Sequence, residues 1–474
     1  MVFVPADFSE FRYDGYDLDA GSEVVTSHFT LVGRESRSFA EEVRLPSPIR
    51  DAADARVPTR LLALAQGLSY YKAAVPPLVS VGFGLTDVEH DFLTHLIRGG
   101  LGEFAYRNNL PDSLHPRIEA ERLDAEALRL DQPTASQPVA SQPALAQPMG
   151  PQPSNKRGTI ASSAPSSPSA PSAPSQRPLI AVGGGKDSVV SIETCKAAGL
   201  DPVLYSVNRY AAIDRCVAVS GCEYVSPTRR IDPLLFDINK EGAHNGHVPV
   251  TAINSLIGIL TSQALGLGPV IMSNEYSASY GNVFWQGHDI NHQWSKSLEF
   301  ENLLRGALGH ERPPYFSLLR PLTELEIAGR FCEYPQYFPA FTSCNRSFAL
   351  DLEKRATHWC CECPKCLFVY LILAAWLPPS TLVPIFGQDI LDQERHLTAY
   401  EEILGYCGHK PFECVGDYAE ARQGLRMIAA RDEWHASLLV NVLSERLGEF
   451  RDRDPFRGDD LSANIPAKYR AALG

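Results

Sequence analysis

The chain has no apolar run long enough to cross a membrane. Its longest, Cys366 to Leu377, has 12 residues and stops at Pro378-Pro379, well short of the roughly 20 that a spanning helix requires. A basic excess is also missing: 43 Lys and Arg against 56 Asp and Glu leave a net charge of −13. That balance argues against a nucleic-acid binder, because neutralising phosphates needs a basic face. No signal-type N-terminus is present, so the 11 cysteines read as reduced thiols in a cytoplasmic setting. None of them falls within the first 125 residues, which leaves that part without the nucleophile of a cysteine-dependent glutaminase.

At 474 residues the chain can hold two or three domains and bury a large core. Residues 1–125 read as an α+β domain. Val24, Val25, Phe29, Leu31 and Val32 suggest a strand or hairpin, Arg60 to Ala73 a helix, and Asp87 to Ile97 a second helix capped by Thr86. Composition then changes abruptly. Gln-Pro recurs every five residues from Gln132-Pro133 to Gln152-Pro153, and Ser, Ala and Pro follow. Such a stretch cannot bury enough apolar surface to offset its ordering entropy, so residues 126–177 read as a disordered or polyproline linker. Strands alternating with helices across 178–343 (Leu179 to Val182, Pro202 to Val207, Cys222 to Val225 and Val270 to Met272, with a buried helix from Thr251 to Leu265) predict a doubly wound parallel sheet. Residues 344–474 carry a cysteine cluster and then helical patterns at Asp392 to Leu404, Asp417 to Ala430 and Trp434 to Leu447.

The chemistry centres on Leu179 to Val190, LIAVGGGKDSVV. A buried strand breaks into three glycines and then a helix, an arrangement in which backbone N–H groups converge on phosphate oxygens and the helix dipole adds positive charge. Lys186 is followed by Asp187 rather than a hydroxyl residue, so the loop is not the nucleoside-triphosphatase motif, and it lacks the third glycine of the dinucleotide fingerprint. Gly183-Gly184-Gly185-Lys186-Asp187-Ser188 resembles the PP-loop of the ATP pyrophosphatase superfamily, S-G-G-x-D-S, with Gly183 in place of the usual Ser. The resemblance implies ATP cleavage to AMP and pyrophosphate, with Lys186 and Mg²⁺ on the departing pyrophosphate and Asp187 as a metal contact. It also implies adenine and ribose at the second strand end, Ser206, Val207 and Asn208, which by themselves read equally well as a strand-end turn.

Ser277 to Glu301 is dense in polar and aromatic residues, as a substrate loop would be. Within it His288-Asp289-Ile290-Asn291-His292 approaches the zinc-protease motif H-E-x-x-H, but a shorter Asp replaces Glu and no third ligand follows at a known spacing. Cys360, Cys363 and Cys366 form two overlapping C-x-x-C steps, and Cys344 lies sixteen residues upstream of Cys360. Four thiolates suit a tetrahedral zinc, with a redox dithiol or an iron–sulfur site as alternatives. The set resembles the zinc site of PP-loop enzymes of the 7-cyano-7-deazaguanine synthase type. The loop His409 to Cys414 is either a substrate contact or an ordinary surface loop.

Taken together, G-G-G-K-D-S, S-N-E-Y-S-A-S-Y-G-N, N-H-Q-W-S-K and T-S-C-N-R…W-C-C-E-C-P-K-C resemble the UDP-N-acetyl-α-D-muramoyl-L-alanyl-L-glutamate epimerase family of peptidoglycan precursor synthesis. The resemblance spans roughly residues 1–125 and 178–440. It implies an ATP- and Mg²⁺-dependent inversion of the terminal L-glutamate through an acyl-adenylate, downstream of a ligase that adds L-glutamate, in the service of cell-wall growth and division. Adenylation matters physically because an α-proton beside a carboxylate is barely acidic. Acid and base are then needed at Cα, for which His292, Lys296, His288 and Glu275 are candidates. An adenylating amide or nitrile synthase of the deazaguanine type is the alternative, and a nucleotide-binding regulatory protein a third.

Overall fold

The structure is a computed structural model that describes residues 2–124, 177–309, 314–348, 355–356, 358–452 and 461–473. The Gln-Pro stretch lies outside these apart from its last residue.

The N-terminal region builds a mixed sheet. Strands β1 (Phe8–Asp17), β2 (Val24–Gly33) and β3 (Arg37–Arg44) form an antiparallel meander, after which helix α1 (Ala52–Tyr71) crosses to β4 (Leu78–Leu85), which pairs parallel to β1. Helices α2 (Asp87–Gly100) and α3 (Gly102–Asn108) precede β5 (Arg117–Arg122). Thr86 caps α2 with a reciprocal capping box to Glu89, as the sequence predicts. Helix α1 begins eight residues before the expected Arg60, because Asp51 accepts from the N–H of Ala53 and caps an earlier start, and Pro58 is accommodated within it.

The second sheet is parallel throughout. Strands β6 (Leu179–Ala181), β7 (Val203–Tyr205), β8 (Glu223–Val225), β10 (Val270–Met272) and β13 (Tyr315–Ser317) stand in the order β13-β10-β6-β7-β8. The three-residue β9 (Thr228–Arg230) leaves this sheet and pairs with β3, closing one edge of the N-terminal sheet. Nothing in its sequence marks that pairing. It is held by an inward-facing carboxylate: Glu41 lies at a buried position of β3, accepts 2.6 Å from Arg229 Nε and 2.8 Å from the Tyr70 hydroxyl, and so is a buried charge with a partner.

Consecutive residues of each parallel strand face opposite layers. Leu179, Val203, Val270 and Tyr315 join the core beneath the N-terminal sheet with Phe11, Phe29 and Leu68. Ile180, Leu204, Ile271 and Phe316 join a second core made with the C-terminal helices. The N-terminal region and the parallel sheet therefore share one apolar layer. On the other side the longest apolar run of the sequence becomes α10 (Pro364–Ala374), buried along its length. Around it pack α12 (Leu397–Leu404) and α13 (Tyr418–Ala429). The C-terminal helices are shorter than their periodicity suggests. A 3₁₀ turn at Glu394–His396 takes up early residues expected of α12, and another at Asp432–Trp434 ends on the first residue expected of α14 (Leu438–Ser444).

Candidate functional site

The carboxyl ends of the parallel strands open into a cavity of about 1130 Å³, where ligands of open α/β sheets are held. Gly183, Gly185, Asp187 and Ser188 line it, as do Ser206, Val207 and Asn208. Gly184 takes φ +77°, and a Cβ there would stand 3.1 Å from the carbonyl oxygen of Ala212, so the turn requires glycine. Gly185 caps helix α4 (Lys186–Ala197) in extended conformation and no side chain bonds the first N–H groups. These facts meet the steric and polar demands of a polyphosphate cradle. Gly183, the departure from the PP-loop pattern, has open space where a Cβ would stand.

Lys186 does not face the cavity. Its amine is buried in ion pairs with Asp187 and with Glu324 at the start of α9 (Glu324–Phe331). Despite its own burial, Glu324 is pulled below the ordinary carboxylate range by Lys186 and then Lys365. The cations that line the cavity are instead Lys72, Arg229, Lys296 and Lys365. Lys72 differs from the others. Its buried Nζ donates to Asn245 Oδ1 at 2.5 Å and to the Gly246 carbonyl at 3.1 Å, both neutral, and burial lowers its pKa to about 8.

A second pocket of about 320 Å³ adjoins the first, sharing Val250, Thr251, Lys296 and Cys414 with it and adding His247, His292 and Gln293. Here the chemistry concentrates. Lys296 Nζ lies 3.1 Å from Cys414 Sγ, and His292 lines the same small pocket and favours the thiolate electrostatically. His292 is itself held by Glu103 of α3, 2.5 Å from Nδ1. Burial opposes the thiolate, but Lys296, His292 and Lys365 outweigh it and bring Cys414 down to about 5. Burial likewise opposes the imidazolium, yet Cys414 and Glu103 hold His292 up at about 9. His247, 3.4 Å from Glu103, is pushed down to about 4 by burial and by the His292 charge. At neutral pH the cluster is a thiolate–imidazolium pair flanked by an ammonium, a carboxylate and a neutral imidazole.

The remaining expectations divide. Glu275 is buried beside this cluster, and burial and Glu324 raise it to about 7 against the opposing charge of Lys296. His288 is elsewhere: it is exposed on strand β12 (His288–Ile290), paired with β11 (Val283–Trp285), and its ring lies 5.5 Å from that of His115. H-D-x-x-H thus spans a hairpin strand and the following turn, and its two histidines do not share a helix face. The sulfurs of Cys344, Cys360, Cys363 and Cys366 lie within 4.8 Å of one another, a donor set that fits zinc. Cys361 points away, its sulfur donating 3.3 Å to the Phe386 carbonyl. This cluster abuts the cradle: Thr342 N–H donates 2.9 Å to the Gly184 carbonyl, and the side chain of Ser343 occupies the space a Cβ on Gly185 would need.

Sequence reasoning missed Glu103, His247 and the role of Cys414. No spacing connects them, since the fold draws residues 103, 247, 292 with 296, and 414 together from four separate segments. The one available signal was a cysteine in a polar loop.

Fold and site together define an α/β protein with a glycine turn at its strand ends and a buried cluster of ionisable side chains that opens into the same cavity. The chain belongs to the MurL family: the MurL N-terminal domain profile matches residues 2–147 and 152–318, and the MurL C-terminal domain profile residues 340–455. Curated relatives carry the name UDP-N-acetyl-alpha-D-muramoyl-L-alanyl-L-glutamate epimerase. The Micromonospora protein is 40% identical over 98% of this chain and 97% of its own length. That of Salinispora tropica is 39% identical over 93% and 89%, and that of Xanthomonas oryzae pv. oryzae 36% over 93% and 90%. No solved structure matches significantly. Among the described residues no helix is long and apolar enough to cross a membrane.

Proposed function

We propose that the protein inverts the terminal L-glutamate of UDP-N-acetylmuramoyl-L-alanyl-L-glutamate to D-glutamate, in the cytoplasm, after a ligase has added that residue. In this reading ATP drives the reaction. The substrate α-carboxylate attacks the α-phosphorus, pyrophosphate leaves, and the acyl-adenylate so formed has an α-proton acidic enough to exchange. Hydrolysis then returns the carboxylate and AMP. The observation that carries the proposal is the common cavity: the glycine cradle and the Cys414–Lys296 pair line one space of about 1130 Å³, so a substrate carboxyl between them reaches both phosphate and a proton carrier.

Gly183, Gly184, Gly185 and Ser188 would hold the phosphates, and Ser206, Val207 and Asn208 the nucleoside. Asp187 would hold Mg²⁺, which supplies charge neutralisation on the phosphate oxygens. Lys296 and Lys365 take over the electrostatic part expected of Lys186, whose pairs with Asp187 and Glu324 fix the loop. The four thiolates would hold a structural zinc against the cradle. Lys72, Asn245 and Arg229 line the part of the cavity nearest the N-terminal sheet and suit the diphosphate of the UDP-sugar.

The test is turnover by the purified protein with ATP, Mg²⁺ and the UDP-muramoyl dipeptide in heavy water. AMP, pyrophosphate and D-glutamyl product with deuterium at Cα are expected. Release of ADP, or product without deuterium, would overturn the reading, and AMP release that depends on ammonia would favour the amide-synthase alternative.

A further inference from the structure

Inversion at Cα requires a proton acceptor whatever activates the carboxyl. Three features single out one side chain. Cys414 and Lys296 line both pockets, while His292 lines the smaller one. A cationic donor reaches that sulfur, Lys296 Nζ at 3.1 Å, and His292 stands by it in the smaller pocket. Finally, His292 is held by Glu103, which keeps a positive charge next to the sulfur in the smaller pocket.

We infer that Cys414 is the catalytic residue that takes the α-proton, with Lys296 as its counter-charge and His292, held by Glu103, as a second cation beside it. This rests on the acyl-activation reading above. In the step, a sulfur lone pair takes the proton and the C–H electrons pass into the bond between Cα and the acyl carbon, leaving charge on the acyl oxygen. A water molecule returns a proton to the opposite face, and the hydroxide so formed takes the proton from sulfur through water, which restores both the thiolate and the water molecule. One C–H bond breaks and one forms, with no net redox change. A thiolate acting as base needs to be charged at neutral pH without a free cation drifting from it, and the surrounding groups provide this: Lys296, His292 and Lys365 favour the anion, while burial opposes it. Glu413, Glu275, Asp187 and Lys410 are further charges that feel Cys414 or Lys296.

The experiment compares wild type with Cys414→Ala and Cys414→Ser in two reactions run on the same protein: substrate-dependent exchange of labelled pyrophosphate into ATP, and deuterium uptake at Cα from heavy water. Cys414→Ala is expected to keep pyrophosphate exchange within about threefold while deuterium uptake falls by roughly 10²–10⁴-fold, with Cys414→Ser in between. Equal loss of both reactions would mean a structural role, and undiminished deuterium uptake would also overturn the inference. So would a substrate acyl group on Cys414 in acid-quenched wild type, which would make the sulfur a nucleophile instead. Should wild type release no pyrophosphate, the proposed function fails by itself. Iodoacetamide labelling of Cys414, read by peptide mass, still reports on the thiolate: its rate should be half-maximal near pH 5 and shift towards the ordinary thiol range in Lys296→Met. A wild-type midpoint already in that range would overturn the inference.

Discussion

Lys72 shows how a single residue can be assigned by what it lacks. Long cationic side chains are rarely buried unless paired, yet Lys72 is held by an amide oxygen and a carbonyl and faces a large cavity. An anionic ligand group would supply the missing charge. Lys72→Met should therefore raise KM for the UDP-linked substrate by roughly 10–100-fold, the worth of a charged hydrogen bond, while kcat changes little. Because burial lowers the lysine to about 8, its charge is lost as pH rises through that value, so wild-type KM should climb there and the variant's should not. Steady-state kinetics across pH checks both. Residues such as Lys72 and Cys414 were not legible in the sequence, since their state depends on neighbours 170 residues away in one case and more than 100 in the other. The strand, the glycine turn and the helix at 179–197 were legible because they follow one another in the chain.

At the scale of elements, local signals translate well. Capping boxes at Thr86 and Asp417 mark the starts of α2 and α13, and Val270–Met272 is the strand its apolar run suggested. Elements that depend on remote partners do not show: β9 exists because Glu41 and β3 receive Arg229, and the short C-terminal helices end where packing around α10 ends them. The glycine loop permits a contrast within one turn. Gly184→Ala combines a left-handed φ of +77° with a Cβ 3.1 Å from a backbone oxygen, and should cost about 1–2 kcal/mol and displace the cradle, so both Tm and pyrophosphate exchange fall. Gly183→Ser restores the commoner PP-loop residue into open space and should leave Tm unchanged within about 1 °C, a surface-like substitution. Thermal denaturation of the two variants side by side separates them. A large loss of Tm in Gly183→Ser would mean the loop is packed differently.

At the scale of the molecule, the parallel sheet is the wall between two apolar cores, and the buried ionisable groups gather at its carboxyl ends. That concentration makes stability depend on pH in a direction set by the shifts. Burial is the main cause raising Glu275 and Glu413 to about 7 and Glu420 to about 8. A carboxyl whose folded pKa lies above its unfolded value of 4.5 stabilises fully below that value, and the contribution is lost as pH rises through the folded pKa. His292, raised to about 9 from 6.5, acts in the same sense over a higher range. Cys414, lowered to about 5 from 9.0, acts against them, since its contribution is full above the unfolded value and is lost as pH falls through 5. Histidines lowered by burial, His244, His247 and His396, also oppose the trend, but only below about 6.5. Between roughly pH 6.5 and 8 three carboxyls and one imidazolium are thus set against Cys414 and against Cys344 and Cys360, which are also lowered from 9.0, so the groups pull in opposite directions and each is read from its own variant. Glu420→Gln isolates one term. The glutamate accepts from the N–H groups of Asp417 and Glu324, both at 3.1 Å, and an amide oxygen keeps one of these bonds. The variant starts less stable at low pH but declines less steeply, by about 1 kcal/mol per pH unit, the value of one proton. Urea denaturation at a series of pH values measures the slope. Parallel curves for variant and wild type would show that Glu420 is already ionised in the folded protein.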